Sequence, residues 1–257
     1  MRLRAGALGL LPALAALLLA ACGSGSGPGD DDAAATAADA VAEAPDDASV
    51  PAVPAVAAAA DAAQVPTSER FELGKNYIRL SPTQPTSSSP TLVEVAEVFW
   101  YGCPHCYAFE TYLKKWNASK AGYINFVRIP AVWNPLLRLH ARAFYTAEAL
   151  GKGEEMHDAF FNAIHVEHNP LDSEDKLTEF FGRFGVDADT FKRTFDSYAV
   201  EQKVQHADEL NRRYRIESVP SLVVNGKYVT SGSMVGSYDD LLSLVDELAA
   251  AENSRGG

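Results

Sequence analysis

Apolar residues follow two rhythms along this chain. The run Leu92-Val93-Glu94-Val95-Ala96-Glu97-Val98-Phe99-Trp100 is rich in β-branched and aromatic residues and predicts a strand. Past Tyr101-Gly102 the spacing changes. Phe109, Leu113 and Trp116 recur at i, i+4 and i+7, which is one face of a helix. Ile124 to Ile129 predicts another strand, and Tyr77-Ile78-Arg79-Leu80 a short first one, with a Pro/Ser/Thr loop over Ser81 to Pro90. Residues 135–214 change character. Leu137, Ala141, Phe144 and Tyr145, then Leu177, Phe180, Phe181 and Phe184, fall at helical spacing, punctuated by Pro170, Gly182, Gly185 and Asp187. This predicts three to five helices forming a covering subdomain. Strands then return: Ser221 to Val224 and Lys227 to Thr230 flank Asn225-Gly226, a two-residue hairpin signal. A last helix is predicted over Asp239 to Ala250, with Leu241, Leu242, Leu244, Val245 and Leu248 on its apolar face. No long internal repeat is visible.

The first 68 residues follow neither rhythm. Arg2 and Arg4 precede an apolar run from Ala5 to Ala21 that is interrupted by Gly6, Gly9 and Pro12. Charge, apolar stretch and small residues in that order are the layout of a secretory signal, read here as residues 1–21. A transmembrane helix needs about 20 uninterrupted apolar residues. Leu19-Ala20-Ala21-Cys22 resembles a bacterial lipobox, which implies lipid attachment at Cys22; an ordinary cleaved signal is the alternative. Residues 22–68 are mostly Ala, Gly, Ser, Pro and Asp, without an aromatic residue. Such a composition cannot offset the entropy of ordering, so a disordered tether is expected. As a flexible coil it spans roughly 35–40 Å on average. The globular part is then residues 69–257.

Composition sharpens this division. The formal net charge is −12, but eight of the 34 acids lie in the tether, which has no Lys or Arg. With Arg2 and Arg4 set aside, residues 69–257 hold 26 acids and 20 bases, a net of −6. An acidic domain without a basic run argues against nucleic acid as its partner. Three cysteines are too few for a disulfide scaffold.

Two of those cysteines stand in Cys103-Pro104-His105-Cys106, at the junction from strand to helix. The free N–H groups of a helix start favour a thiolate at Cys103. Pro104 suits the first helical turn, where its missing N–H costs nothing. His105 adds a further donor or charge. A free thiol with a pKa of about 8.5 is only about 3% thiolate at pH 7. A downward shift of three units corresponds to about 4 kcal/mol. It favours the dithiol over the disulfide by on the order of 90 mV, so the disulfide becomes an oxidant. Other uses of such a motif are less well served. A zinc site needs a second pair of ligands, and the only other cysteine is Cys22. Haem attachment needs His after the second cysteine, where Tyr107 stands. A structural disulfide closing so small a loop constrains the unfolded chain little.

Cys103-Pro104-His105-Cys106 on a strand-to-helix junction, a helical insertion and a later Val219-Pro220 together resemble the DsbA family of periplasmic thiol:disulfide oxidoreductases. The resemblance covers roughly residues 70–250. It implies an α/β, thioredoxin-like fold with an inserted helical subdomain at about 133–208. It implies a dithiol oxidase with Cys103 as the attacking, solvent-facing cysteine and Cys106 as its buried partner. Val219-Pro220 would be a cis-proline turn facing the disulfide, where an extended substrate pairs with backbone. Glu97, by its strand alone an exposed acid, would be buried beneath the site and tune the cysteines or move protons when Cys106 attacks, with Glu110 and Arg128 completing a buried charge cluster. The implied partners are reduced polypeptides and a quinone-linked membrane reoxidase of the DsbB type. No cofactor or metal is implied. The implied location is the periplasm, tethered through Cys22. An isomerase or reductase on the same fold is the nearest alternative, although isomerases of this group usually add an N-terminal dimerisation domain for which the tether has no composition. A non-catalytic peptide-binding lipoprotein is the other. The remaining histidines, His140, His157, His165, His168 and His206, are expected at the surface or core edge. Phe99, Trp100, Tyr101 and Tyr107 are candidates to border an apolar substrate groove.

Overall fold

The computed structural model describes Pro66 and residues 68–256. The predicted signal, Cys22 and almost all of the tether lie outside the described residues.

Strand β2 (Val93–Phe99) is buried along its whole length. It lies inside a five-stranded sheet whose other members are β1 (Ile78–Arg79), β3 (Ile124–Pro130), β4 (Ser221–Val224) and β5 (Tyr228–Ser231), in the order β1-β5-β4-β2-β3. β2 runs parallel to β3 and antiparallel to β4. β1 is two residues shorter than predicted, because only Ile78 and Arg79 pair with β5.

Side chains alternate across a strand, and both faces of β2 are covered. Val93 and Val95 pack with Phe109, Leu113 and Trp116 of α1 (Pro104–Ser119) and with Leu241, Val245 and Leu248 of α7 (Tyr238–Gly256). Ala96 and Val98 face the other way. They pack with Leu137 and Ala141 of α2 (Pro135–Ala149) and with Val200, Val204 and Ala207 of α6 (Tyr198–Arg213). Each fully buried Leu or Phe in these layers contributes about 1.5–3 kcal/mol. Glu97, with odd numbering, faces α1.

Between β3 and β4 run five helices: α2, α3 (Gly153–His165), α4 (Glu174–Gly182), α5 (Ala188–Phe195) and α6. Four of their starts are set by side-chain caps, all but that of α3. Asn134, Ser173, Asp187 and Ser197 each accept a hydrogen bond from the backbone N–H three residues on. Their apolar faces make an aromatic-rich cluster around Phe160, Phe161, Phe180, Phe181 and Phe191. The Asn225-Gly226 turn has positive φ at both residues, 51° and 60°, as the hairpin signal requires. Gly226 is also needed for contact: a Cβ there would lie 2.1 Å from the Gln84 carbonyl.

Candidate active site

The chain leaves β2 through Trp100-Tyr101-Gly102, and the Cys103 N–H donates to the Trp100 carbonyl at 3.0 Å. Any Cβ on Gly102 would sit 2.3 Å from the Trp100 ring, so only glycine fits beneath it. Trp100 is itself held: its Nε1–H donates to His140 Nδ1 at 3.0 Å. His140 Nε2 lies 3.2 and 3.3 Å from the carbonyls of Pro170 and Leu171, which fixes the proton on Nε2.

Cys103 is the N-cap of α1 and Pro104 opens the helix. The two cysteines are unbonded thiols in this structure. The Cys103 thiol falls from 9.0 to about 6. The hydrogen bond from the Cys106 thiol is the main cause; the backbone N–H groups of Cys106 and His105 and the charge of His105 add to it, and burial opposes it. Cys106 is fully buried, and burial, the hydrogen bond with Cys103 and the Glu97 charge push its thiol well above the usual value. A nucleophile and a poor acid thus stand one helical turn apart. Cys103 is less open than expected of a solvent-facing residue, at 7% exposure. The exposed residues at the helix start are Pro104 and His105.

The Val219–Pro220 bond is cis, and the Cys103 Sγ–H donates to the Val219 carbonyl at 3.4 Å. Beside them lies a cleft of about 550 Å³, lined by His105, Tyr112, Ser218, Val219, Pro220 and Tyr238 among others. Tyr238 O–H donates to the His105 carbonyl at 3.1 Å, tying the start of α7 to the cysteine motif. The aromatic wall is therefore Tyr112 and Tyr238, not the residues around the motif. Phe99 and Tyr101 are buried in the insertion's aromatic cluster, with Trp100 and Tyr107 packed against it.

Beneath α1, Glu97 is fully buried and both its carboxylate oxygens lack a hydrogen-bond partner. Glu97 and Arg128 are direct register partners on β2 and β3. Arg128 Nε lies 3.4 Å from Glu97 Oε2, and its Nη2 lies 3.5 Å from Glu110 Oε2. Burial, then repulsion from Glu110, raise the Glu97 carboxyl to about 8 against the pull of Arg128. A carboxylic acid with a proton to give at neutral pH therefore lies close enough for its charge to act on Cys106. Among the described residues, no group of three His, Cys, Asp or Glu side chains converges as metal ligands.

A family model described as "DSBA-like thioredoxin domain" matches residues 129–248. The thiol:disulfide interchange protein DsbA of Pseudomonas aeruginosa is 36% identical over 187 residues, spanning 73% of this chain and 88% of that protein. The chain belongs to the DsbA family. The crystal structure of Pseudomonas aeruginosa DsbA superposes with a TM-score of 0.68 at 37% identity, covering 72% of this chain and 96% of that one. The oxidoreductase DsbA from Xylella fastidiosa gives 0.68 at 32% identity, covering 72% and 98%. As a DsbA family member the protein is a thiol:disulfide oxidoreductase of disulfide formation on a thioredoxin-like fold.

Two histidines of this DsbA-family chain depart from expectation. His140 and His157 are buried, at 2% and 4% exposure, not at the surface or core edge. Their partners come from segments distant in sequence, so spacing within the helices carried no signal of them. His157 Nε2 lies 3.1 Å from Glu110 Oε1, and its Nδ1 lies 3.0 Å from the Tyr101 hydroxyl. His165 is half-buried; its Nε2–H donates to the Tyr101 carbonyl at 2.8 Å and its ring stacks on Tyr107. His168 and His206 are exposed as expected.

Proposed function

We propose that Cys103 and Cys106 are the redox pair and that their disulfide is donated to reduced polypeptides. A substrate thiolate attacks Cys103 Sγ. The electron pair of the S–S bond leaves on Cys106 Sγ, which takes the proton of the Glu97 carboxyl. A second substrate thiolate then attacks the substrate sulfur of the mixed disulfide, and Cys103 leaves as a thiolate. The substrate gains one disulfide, and the enzyme gains two electrons and holds a Cys103 thiolate, a Cys106 thiol and a Glu97 carboxylate. Reoxidation by a quinone-linked membrane protein of the DsbB type runs the cycle back, with Glu97 accepting the Cys106 proton. Val219 offers its backbone to an extended substrate, the cleft along Tyr112 and Tyr238 takes its side chains, and Pro104 and His105 form the rim.

The observation that carries this reading is the split between the two thiols, one lowered to about 6 and the other raised. A good leaving group at Cys103 makes the disulfide oxidising. A low thiol pKa and a strongly oxidising disulfide are established properties of DsbA itself, and the lowered Cys103 thiol fits that pattern. The test is the reduction potential of the pair, measured by equilibration with glutathione. A value well above that of thioredoxin, about −270 mV, is expected. A value at or below it makes the protein a reductase, and thiol oxidation that survives Cys103→Ser makes the pair incidental.

The domain reading is part of the same proposal: residues 1–21 an export signal, 22–68 a tether and 69–257 the catalytic domain, held in the periplasm by lipid on Cys22. The apolar run and Leu19-Ala20-Ala21-Cys22 support it. Mass spectrometry of the mature N-terminus decides it: a diacylglyceryl Cys22 is expected, and an unmodified Cys22 removes the anchor.

A further inference from the structure

The buried charge cluster holds two carboxylates and one guanidinium, so the two acids are not equivalent. Glu97 has Arg128 at ion-pair distance and no hydrogen bond. Glu110 has Arg128 on one oxygen and His157 on the other. The tautomer of His157 follows from its neighbours. Tyr101 is buried, its hydroxyl is held protonated by that burial, and it points at Nδ1. The Tyr101 O–H therefore donates to Nδ1, and the imidazole proton sits on Nε2, directed at Glu110. Burial also keeps the ring neutral. The result is a directed chain from Tyr101 O–H through His157 Nε2–H to the Glu110 carboxylate, whose other oxygen meets Arg128, which meets Glu97.

The surroundings make His157 a fixed element of this chain. Its ring packs edge-on against Phe99 and Phe161, at 5.4 and 5.3 Å between centroids. The charged and titratable groups facing it are Tyr101 before α1, Glu110 on α1, Arg128 on β3 and Asp158 on its own helix. Glu148 and Tyr145 of α2 and Glu154 of α3 line the same cleft of about 300 Å³ into which His157 and Arg128 open. Glu110 lines a second cleft, of about 330 Å³, on the α1 side. Arg128, His157 and Glu110 thus border clefts, while Glu97, at 0% exposure, lines neither.

We propose that His157 is a positioning residue for the thiol–disulfide exchange: its Nε2–H holds the Glu110 carboxyl against Arg128, and so fixes how closely the Glu110 charge faces Glu97, the acid that carries the proton for Cys106. The inference rests on the reading of Glu97 given above. Without the Nε2–H donor, Glu110 keeps one long contact, to Arg128, and turns toward the α1-side cleft that it lines. Its charge then repels that of Glu97 less, and Glu97 ionises at lower pH.

The test uses the purified protein with both cysteines and follows the rate of thiol oxidation against pH. His157→Phe keeps an aromatic ring in the cluster and removes both hydrogen bonds. His157→Gln keeps an N–H donor for Glu110. The expected result is a midpoint lowered by about one pH unit or more in His157→Phe, the size of a lost hydrogen bond to a charged group, and at least half restored in His157→Gln. If the Phe ring is not accommodated, as thermal unfolding will show, His157→Met supplies the same comparison with an adaptable apolar chain. A midpoint unchanged in the donor-less variant, with any rate loss uniform across pH, overturns the role of His157. Glu97→Gln, measured alongside, separates the two layers. If it abolishes the pH dependence while the His157 variants leave the midpoint in place, Glu97 stands and His157 falls. If it leaves the wild-type profile intact, both fall.

Discussion

Glu94 and Glu97 stand three residues apart on the same strand, and both are buried, at 3% and 0% exposure. Their surroundings are opposite. Glu94 Oε2 accepts hydrogen bonds from the Ser87 N–H, the Ser87 O–H and the Ser88 O–H at 2.8, 2.6 and 2.8 Å. It ties the loop before β2 to the sheet, with the hydrogen-bond donors that a buried polar group requires. Glu97 has no donor of hydrogen-bonding geometry, only the Arg128 charge. The same residue type on opposite faces of one strand is thus a rivet in one place and, in the exchange proposed above, a proton carrier in the other. Burial alone does not mark a functional acid; burial without donors, beside a reactive group, does.

The contrast can be broken from the Glu97 side first. Arg128→Met leaves Glu97 and Glu110 buried without a cation, and removing one member of a buried ion pair typically costs about 3–5 kcal/mol. That loss should be largest in urea unfolding above pH 8 and shrink as pH falls through about 8, where the Glu97 carboxyl takes up its proton. A pH-independent loss would mean that Arg128 acts through packing alone. Glu94→Ala should come next. It strands three donors and should cost about 2–4 kcal/mol, with thiol oxidation by the surviving folded protein unchanged. An altered reduction potential in this variant would end the division of roles.

Glu97→Gln should have the opposite sign. The Glu97 carboxyl is raised from 4.5 in the free chain to about 8 in the fold. Between those values the fold binds a proton that the unfolded chain has released, so stability falls as pH rises from 4.5 through about 8. Glu97→Gln removes this slope. The reduced protein at pH 8 should gain about 1–3 kcal/mol while its disulfide exchange slows, and a variant less stable at pH 8 would contradict the buried-acid account. The smallest effect is expected from Ser88→Ala. It removes one of three donors from Glu94 and should cost about 0.5–1.5 kcal/mol in the same unfolding assay. A cost equal to that of Glu94→Ala would show that the loop moves as a unit.

What the sequence disclosed follows a physical division. Local patterns announced β2, α1, the Asn225-Gly226 hairpin and a stretch of three to five helices, because periodicity and turn chemistry are short-range. The Cys-x-x-Cys and its helix start were legible for the same reason. Burial of Glu97 was not a property of its own strand. It needed α1 on one face and Arg128 opposite, and only the family resemblance pointed to it. Tyr238, His157 and His140 were illegible because each acts on a partner remote in sequence: Tyr238 on His105, His157 on Glu110 and Tyr101, His140 on Trp100. The small opening at Cys103 belongs here too. Val219, 116 positions away, covers part of it.

That last separation sets an order of events during synthesis. A chain made from its N-terminus carries Cys103 and Cys106 through the making of the whole five-helix insertion before Val219, Pro220 and Tyr238 exist. Contacts that span such distances close late. The helix start that favours a thiolate is built from residues already made, whereas the cleft walls beside it come later in the chain. For that interval the nascent chain bears two thiols without the cleft that directs them, and every truncation ahead of β4 would be a pair of cysteines without a specificity.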